Sequence, residues 1–297
     1  MKPTFILHGG AGTWEPHLYP HDGVQQGMYD AAERAWGILK NGGSALDAVE
    51  AATIILEDNP YFDAGVGSFL NDAGEAELDA LITDGSTLMF GAVAALKHVQ
   101  NPITLARMIM TRTPHAFFVA EGAERLAVEF GMKLVANLSF VTQQEFADYQ
   151  KRLAEKRGAG LGLGTVGAVA VDVHGNIASA TSTGGTPHKL KGRVGDVPIF
   201  GAGGYSDNRY GGASATGHGE KIMRTLMSRG VIDELRLGKT PHQAALAVTD
   251  GIDNVGIITL DKDGRVGAAH NTPFMPTAWV DEDGQIHANM GNIYPFA

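Results

Sequence analysis

Hydrophobic positions along the chain change their period several times, and each change marks an element. Phe5 to Leu7 is a short apolar run, the pattern of a buried strand, leading into the loop His8-Gly9-Gly10-Ala11-Gly12. Over residues 23–40, Val24, Met28, Ala31, Ala35, Ile38 and Leu39 recur three and four apart, which predicts a helix. Asn41-Gly42-Gly43 stops it. Ser44 is placed to cap a second helix over 45–57, with Leu46, Val49, Ile54 and Ile55 turned inward. Pro60, Gly65 and Gly67 then impose a loop. Strands are predicted over 76–83 and 91–96 on either side of a turn at Asp84-Gly85, followed by helices near 103–110 and 120–130.

Residues 143–164 lack this order. The first part is polar and charged, and Gly158, Gly160, Gly162 and Gly164 then alternate, so the segment reads as an exposed, flexible linker. The pattern turns abruptly apolar at Thr165-Val-Gly-Ala-Val-Ala-Val-Asp-Val. Residues 177–182 return as an antiparallel partner across the turn Asp172-Val-His-Gly-Asn176. Helices are expected over 219–229 and 241–249, and strands over 256–260, 266–269, 277–280 and 286–288. Turns at Asp261-Lys-Asp-Gly264 and Asp281-Glu-Asp-Gly284 separate the last strands. Helix pairs flanking runs of strands predict a layered arrangement with antiparallel sheets.

Composition narrows the function classes. Apolar residues make up 44% and charged residues 19% of 297, enough apolar surface for a full core. The net charge of −10, without a basic tract, argues against a nucleic-acid partner. The absence of cysteine removes disulfides, thiolate catalysis and cysteine-based zinc sites. No apolar run near the start is long enough for a secretion signal or a membrane span, so a cytoplasmic location is expected. The glycine run before Thr165 follows a polar segment and opens a strand, unlike a nucleotide loop, which follows a strand and opens a helix. The Asp-x-Asp-Gly turns lack the glutamate of a calcium loop. Neither a His-Glu-x-x-His zinc site nor a Gly-x-Ser-x-Gly elbow is present.

Taken alone, Thr165 is a β-branched residue opening a strand. A different chemistry becomes available if the Gly164–Thr165 peptide bond breaks. The freed α-amine, with an ordinary pKa near ~8, then serves as base for its own Oγ. The accompanying residues favour this reading. Thr181-Ser182-Thr183-Gly184-Gly185 lies on the return strand, where Thr183 can come alongside Thr165. Arg193 and Asp196 supply a guanidinium and a carboxylate three residues apart, suited to the carboxylate and ammonium of an amino-acid head group. Ala215-Thr216-Gly217-His218-Gly219-Glu220 opens a helix, where N–H groups and a hydroxyl can form an oxyanion hole.

These segments together resemble the plant-type L-asparaginases, or isoaspartyl peptidases. The resemblance rests on Gly164-Thr165-Val-Gly-Ala-Val-Ala-Val-Asp, Thr-Ser-Thr-Gly-Gly, Lys189-Leu-x-Gly-Arg-Val-Gly-Asp196 and Thr216-Gly-x-Gly-Glu220. It extends to His8-Gly-Gly-Ala-Gly12, Asp63-Ala-Gly-x-Gly67, Asp79-Ala80 and Thr113-Pro114-His115, and so covers essentially the whole chain. It implies an α+β fold, the four-layer αββα sandwich of N-terminal-nucleophile hydrolases. It implies one domain over 1–297, cut by its own chemistry into 1–164 and 165–297. It makes Thr165 the nucleophile and Thr183 its assisting hydroxyl. Arg193 and Asp196 become the substrate anchors, Thr216 and Gly217 the oxyanion donors, and Gly219 a substrate neighbour. The loop His8–Gly12 is associated in the family with shaping the precursor for cleavage. Main-chain carbonyls of Leu56, Glu57, Asn59, Phe62, Ala64 and Val66 correspond to a structural sodium site, with no cofactor for catalysis. The implied substrates are L-asparagine and β-aspartyl peptides, and the implied assembly is a dimer of αβ units. Two departures stand out. Asp63 occupies a place where many members carry asparagine, and His218 fills the variable position of Thr-Gly-x-Gly-Glu. A glycosylasparaginase shares the threonine and the Arg-Val-Gly-Asp segment, but such enzymes are usually secretory and disulfide-bonded. An unprocessed amino-acid-binding member is the other alternative, and the intact set of Thr165, Thr183, Arg193 and Asp196 argues against it.

Overall fold

A computed structural model describes residues 1–155 and 164–291. The chain opens with β1 (Thr4–His8), α1 (His21–Leu39) and α2 (Ala45–Glu57), followed by the hairpin β2 (Leu78–Asp84) and β3 (Met89–Leu96). Next come α3 (Pro102–Arg112), β4 (Phe117–Val119), α4 (Ala120–Glu129) and α5 (Gln143–Ala154). The second half runs β5 (Val166–Val171), β6 (Ile177–Thr183), β7 (Gly204–Asp207), β8 (Gly211–Gly217), α6 (Gly219–Thr225), α7 (Met227–Arg236) and α8 (Pro241–Thr249). It ends with β9 (Val255–Asp261), β10 (Val266–His270), β11 (Thr277–Val280) and β12 (Ile286–Asn289).

The strands form two sheets. The larger has the order β12-β11-β1-β5-β6-β2-β3-β4 and the smaller β10-β9-β8-β7. Every pairing is antiparallel except β3 with β4. Helices α1, α2 and α3 pack on the larger sheet, α7 and α8 on the smaller, and β5 and β6 contact β8 across the gap between sheets. This gives three buried apolar clusters. One lies under α1–α3, one under α7 and α8, and one contains Ile6, Val169, Ile177, Ile258, Leu260 and Met275. Every residue of β5 and β6 is therefore buried, which explains why β5 reads as an unbroken run of Val, Ala and Gly and why β6 holds only small or β-branched residues, Ile, Ala, Ser and Thr.

Three expectations are corrected. Residues 143–154 are helical, not linker: Thr142 caps α5 by accepting Glu145 N–H at 3.1 Å, and Tyr149 stacks on His188. Of the glycine run, Gly158, Gly160 and Gly162 lie outside the described residues. The single helix expected over 219–229 is two, because Leu226 adopts a left-handed conformation (φ 49°, ψ 53°) between α6 and α7. In α2 the inner face is Ala48, Val49, Ala52 and Leu56, while Leu46, Ile54 and Ile55 are half-buried. Alanines let this helix approach β5 and β6 closely. Among the described residues, no helix is long and apolar enough to cross a membrane.

Candidate active site

The strand register brings the threonines together. Val166 pairs with Ser182 in the β5–β6 ladder, so one step earlier Thr165 faces Thr183. The Thr165 hydroxyl donates to Thr183 Oγ1 at 3.0 Å. Thr183 Oγ1 also accepts the Gly185 N–H at 2.9 Å and donates to Asp63 Oδ2 at 3.4 Å. Asp63 Oδ1 accepts the Phe69 N–H at 2.9 Å. Burial pushes the Asp63 carboxyl well above the usual carboxylate range, against the pull of the Phe69 N–H and the Lys189 ammonium.

The bond expected to break is tightly enclosed. Gly164 has φ +109°, and a Cβ there would stand 2.7 Å from the Asp63 nitrogen. On its other side, a Cβ on Gly10, also at φ +109°, would overlap the Gly164 backbone. The loop His8–Gly12 thus presses its second glycine against the residue before Thr165, and only glycine fits at both positions. His8 is fully buried, with Nε2 3.0 Å from Ser214 Oγ, and Ser214 continues to Thr181 Oγ1 at 2.8 Å. Burial pushes the His8 imidazole down to about 3, with the Thr165 backbone opposing, so the ring is neutral.

Arg193 and Asp196 converge on Gly219, where a Cβ would lie 2.8 Å from Arg193 Nη2 and 2.9 Å from Asp196 Oδ1. The expectation that Arg193 offers its fork to a carboxylate is modified. Its Nε and Nη2 already donate to Glu220 Oε1 and Oε2, each at 3.0 Å, which fixes the guanidinium and leaves Nη1, packed beside Gly195, as the nitrogen not engaged with Glu220. Asp196 is buried and its Oδ2 has no hydrogen-bond partner among the described residues. Burial pushes its carboxyl up to about 7, opposed by its own backbone N–H and by Arg193. A buried carboxyl oxygen without a partner is costly in a resting protein, and an arriving ammonium would satisfy it. Thr216 is the next-to-last residue of β8, and its Oγ1 accepts the Ala11 N–H at 3.2 Å. Gly217 turns the chain at φ +123°, and a Cβ there would overlap the Asn254 carbonyl. His218 stands at the N-cap position of α6 without a side-chain bond to the helix N–H groups, and its Nδ1 lies 3.2 Å from Glu220 Oε2. The Thr113-Pro114-His115 segment is an exposed turn whose hydrogen bonds are local.

The loop after α2 folds back on itself, with the Val66 N–H donating to the Glu57 carbonyl at 2.7 Å. The carbonyl oxygens of Pro60 and Phe62 lie 2.7 and 2.8 Å from where a Cβ of Gly67 would stand. Two main-chain oxygens of this loop thus converge beside Gly67, Phe62 being one of the expected set. The carbonyls of Leu56, Glu57 and Asn59 also accept N–H groups of Asn59, Val66 and Phe62, which leaves each one lone pair for an ion. Among the described residues, no cluster of carboxylates and imidazoles could hold a metal by side chains.

The family model described as asparaginase (Asparaginase_2) matches residues 1–290. The chain belongs to this family. Among curated proteins it is 42% identical over 295 residues to an isoaspartyl peptidase/L-asparaginase of Xenopus laevis, covering 97% of this chain and 94% of that one. It is 43% identical over 296 residues to the protein of the same name from Homo sapiens, covering 97% and 96%. An isoaspartyl peptidase of Salmonella typhimurium is 37% identical over 306 residues, covering 94% and 95%.

Several members of this asparaginase-family site were not assigned roles from sequence. Glu220 and Lys189 stand inside quoted motifs, yet only the fold shows that Glu220 pins Arg193. It also shows Lys189 buried, with Nζ donating to the Glu77 carbonyl at 2.9 Å. Glu145, buried on α5, accepts the Leu70 N–H at 2.9 Å. A signal for it existed: Thr142-Gln-Gln-Glu145 has the spacing of a helix N-terminus.

Proposed function

We propose that this protein is an N-terminal-threonine hydrolase that releases the side-chain amide of L-asparagine and cleaves β-aspartyl peptides. The observation that carries the reading is the Thr165–Thr183 hydroxyl pair, 3.0 Å apart, at the residue directly after the enclosed Gly164. The fold proposed with it is a four-layer αββα sandwich, a single unit over 1–297, and the names of the relatives supply the substrate class.

The first stage is maturation. Thr165 Oγ attacks the Gly164 carbonyl carbon while its proton passes towards Thr183, and the C–N bond breaks as the Thr165 nitrogen takes up a proton. Water then hydrolyses the Gly164 ester, leaving 1–164 with a new carboxylate and 165–297 with a free amine on Thr165. The second stage is turnover. The amine acts as base for the Thr165 hydroxyl, which attacks the substrate's side-chain carbonyl. Thr216 Oγ and the Gly217 N–H supply donors for the tetrahedral oxygen. The Asp196 Oδ2 receives the substrate ammonium and the Nη1 edge of Arg193 its α-carboxylate, with Gly219 keeping the space between them open. The amine leaves with a proton, and water cleaves the β-aspartyl ester on Thr165. Two αβ units are proposed to pair.

Mass spectrometry of the purified protein tests this reading. Two fragments are expected, with Thr165 as a new N-terminus, and Thr165→Ala is expected to remain whole. An intact wild-type chain that hydrolyses L-asparagine would contradict the mechanism. Rates on L-asparagine, β-Asp-Leu and glycosylated asparagine separate this reading from a glycosylasparaginase.

A further inference from the structure

A cavity of about 210 Å³ opens beside the oxyanion turn, and one wall of it is α5. Glu145, Asp148 and Arg152, spaced three and four apart, present one face of that helix to it. Ala11 and Gly217 line the opposite side, and Ala11 is the residue whose N–H binds Thr216 Oγ1. Gly10, next to Ala11, is packed against Gly164. The cavity therefore adjoins the turn proposed to hold the scissile carbonyl oxygen, and neither of the anchors Arg193 and Asp196 is among its lining residues.

The helix is firmly seated. Its N-cap is Thr142, Glu145 accepts the Leu70 N–H at 2.9 Å, and Tyr149 stacks on His188 at 5.2 Å between centroids. Leu70 follows Phe69, whose N–H is bound by Asp63, so α5 is tied to the support of Thr183. Thr142, Glu145 and Leu70 lie well before Gly164 and the Tyr149–His188 stack joins the two sides of the cut, so breaking the chain at that point removes none of these contacts.

The charges facing the cavity are unequal in availability. The Glu145 carboxyl is spent on Leu70 N–H and raised to about 8 by burial. Asp148 Oδ2 accepts the Gln144 amide at 3.2 Å, and Glu15 lies 3.5 Å from the imidazole of His17. Arg152 is half-buried, and although its charge acts on the Glu145 carboxyl, its side chain makes no hydrogen bond or ion pair among the described residues. Among the described residues it is the one arginine or lysine lining this cavity.

Resting on the hydrolase reading above, we propose that α5 walls the leaving-group subsite and that Arg152 receives the α-carboxylate of the amino acid released from a β-aspartyl peptide. The leaving amine of such a peptide carries its carboxylate one carbon away, within the reach of a guanidinium on the cavity wall, and a planar fork matches a carboxylate. Ammonia from L-asparagine has no such group. The helix that precedes the cut is then a specificity element of the mature enzyme.

The test compares two substrates differing only in that charge, β-Asp-Leu and β-Asp-leucinamide, on the processed wild type, Arg152→Met and Arg152→Lys. The wild type is expected to favour β-Asp-Leu in kcat/KM. Arg152→Met is expected to reduce that preference about tenfold or more, chiefly through KM, and Arg152→Lys to retain part of it. Methionine keeps the helix propensity and most of the apolar stem, and circular dichroism verifies the fold. A preference in Arg152→Met equal to that of the wild type overturns the subsite and leaves the hydrolase reading standing. If the processed wild type hydrolyses neither β-Asp-Leu, β-Asp-leucinamide nor L-asparagine, the hydrolase reading falls, and the subsite with it.

Discussion

Replacing Thr183 with valine removes one hydroxyl from the centre of the site while keeping the shape of the side chain. Thr183 is buried and its Oγ1 takes part in three interactions: it accepts from Thr165 and Gly185 and donates to Asp63. In Thr183→Val the Gly185 N–H and the Asp63 Oδ2 lose that partner in a dry environment. An unpaired buried polar group costs about 1–3 kcal/mol, so the folded protein is expected to lose about 2–4 kcal/mol. The kinetic loss has a separate cause. The Thr165 proton no longer has an acceptor 3.0 Å away, and a positioned acceptor contributes about 10²–10⁴ in rate. Thr183→Ser restores the hydroxyl at the cost of one methyl, about 1 kcal/mol of burial, and is expected to cut within about tenfold of wild type. The assay is a time course of the uncut chain by mass spectrometry, with thermal unfolding in parallel. A folded Thr183→Val protein that cuts within about threefold of the wild-type rate would refute the assignment of Thr183 as the assisting hydroxyl.

Gly10→Ala places a Cβ into the Gly164 backbone at a positive φ, so cleavage is expected to slow by more than tenfold or stop, read by the same time course. Burial raises the Glu145 carboxyl from its ordinary 4.5 to about 8, so the folded state binds its proton more tightly than the unfolded state does. The stability this supplies is complete below about pH 4.5 and is lost as pH rises through about 8. Glu145→Gln keeps an acceptor for the Leu70 N–H but cannot ionise, so its melting temperature is expected to gain on wild type between pH 6 and pH 9, and parallel melting curves would contradict this. Leu226→Gly relieves a left-handed conformation at an exposed position and is expected to raise stability by about 0.5–1 kcal/mol, measured by denaturant titration.

Elements were legible wherever local chemistry decided them. Pro241–Thr249 is the predicted helix residue for residue, because Thr240 and Gln243 form a capping box and Pro241 opens the first turn. The hairpin β9–β10 followed from apolar runs on either side of Asp261-Lys-Asp-Gly264. Where the deciding contact is remote, the sequence misled. The face of α5 looked polar because Glu145, a charged residue by type, is buried by its bond to the Leu70 N–H, seventy-five positions away. Strands β7 and β8, the last rich in Gly, Ala and Ser, carry too little apolar signal of their own, and β4, though apolar, is only three residues long; pairing with neighbours is what makes them strands.

The candidate site divides in the same way. By itself the sequence determined which residue types are available and, through motifs in order, their family: Thr165 after Gly164, a second threonine on the return strand, a guanidinium and carboxylate three apart, and a Thr-Gly turn. A two-strand register was within its reach, since a tight turn fixes which residues face each other, and Thr165 does meet Thr183. Only the tertiary structure decided that Gly10 and Asp63 close on Gly164, that Glu220 already grips Arg193, and that α5 forms a wall beside Gly217. Those relations join residues from strands non-adjacent in sequence and from both halves of the chain. They are set by how the two sheets and their helices pack, and no local pattern of hydrophobic and polar positions records them.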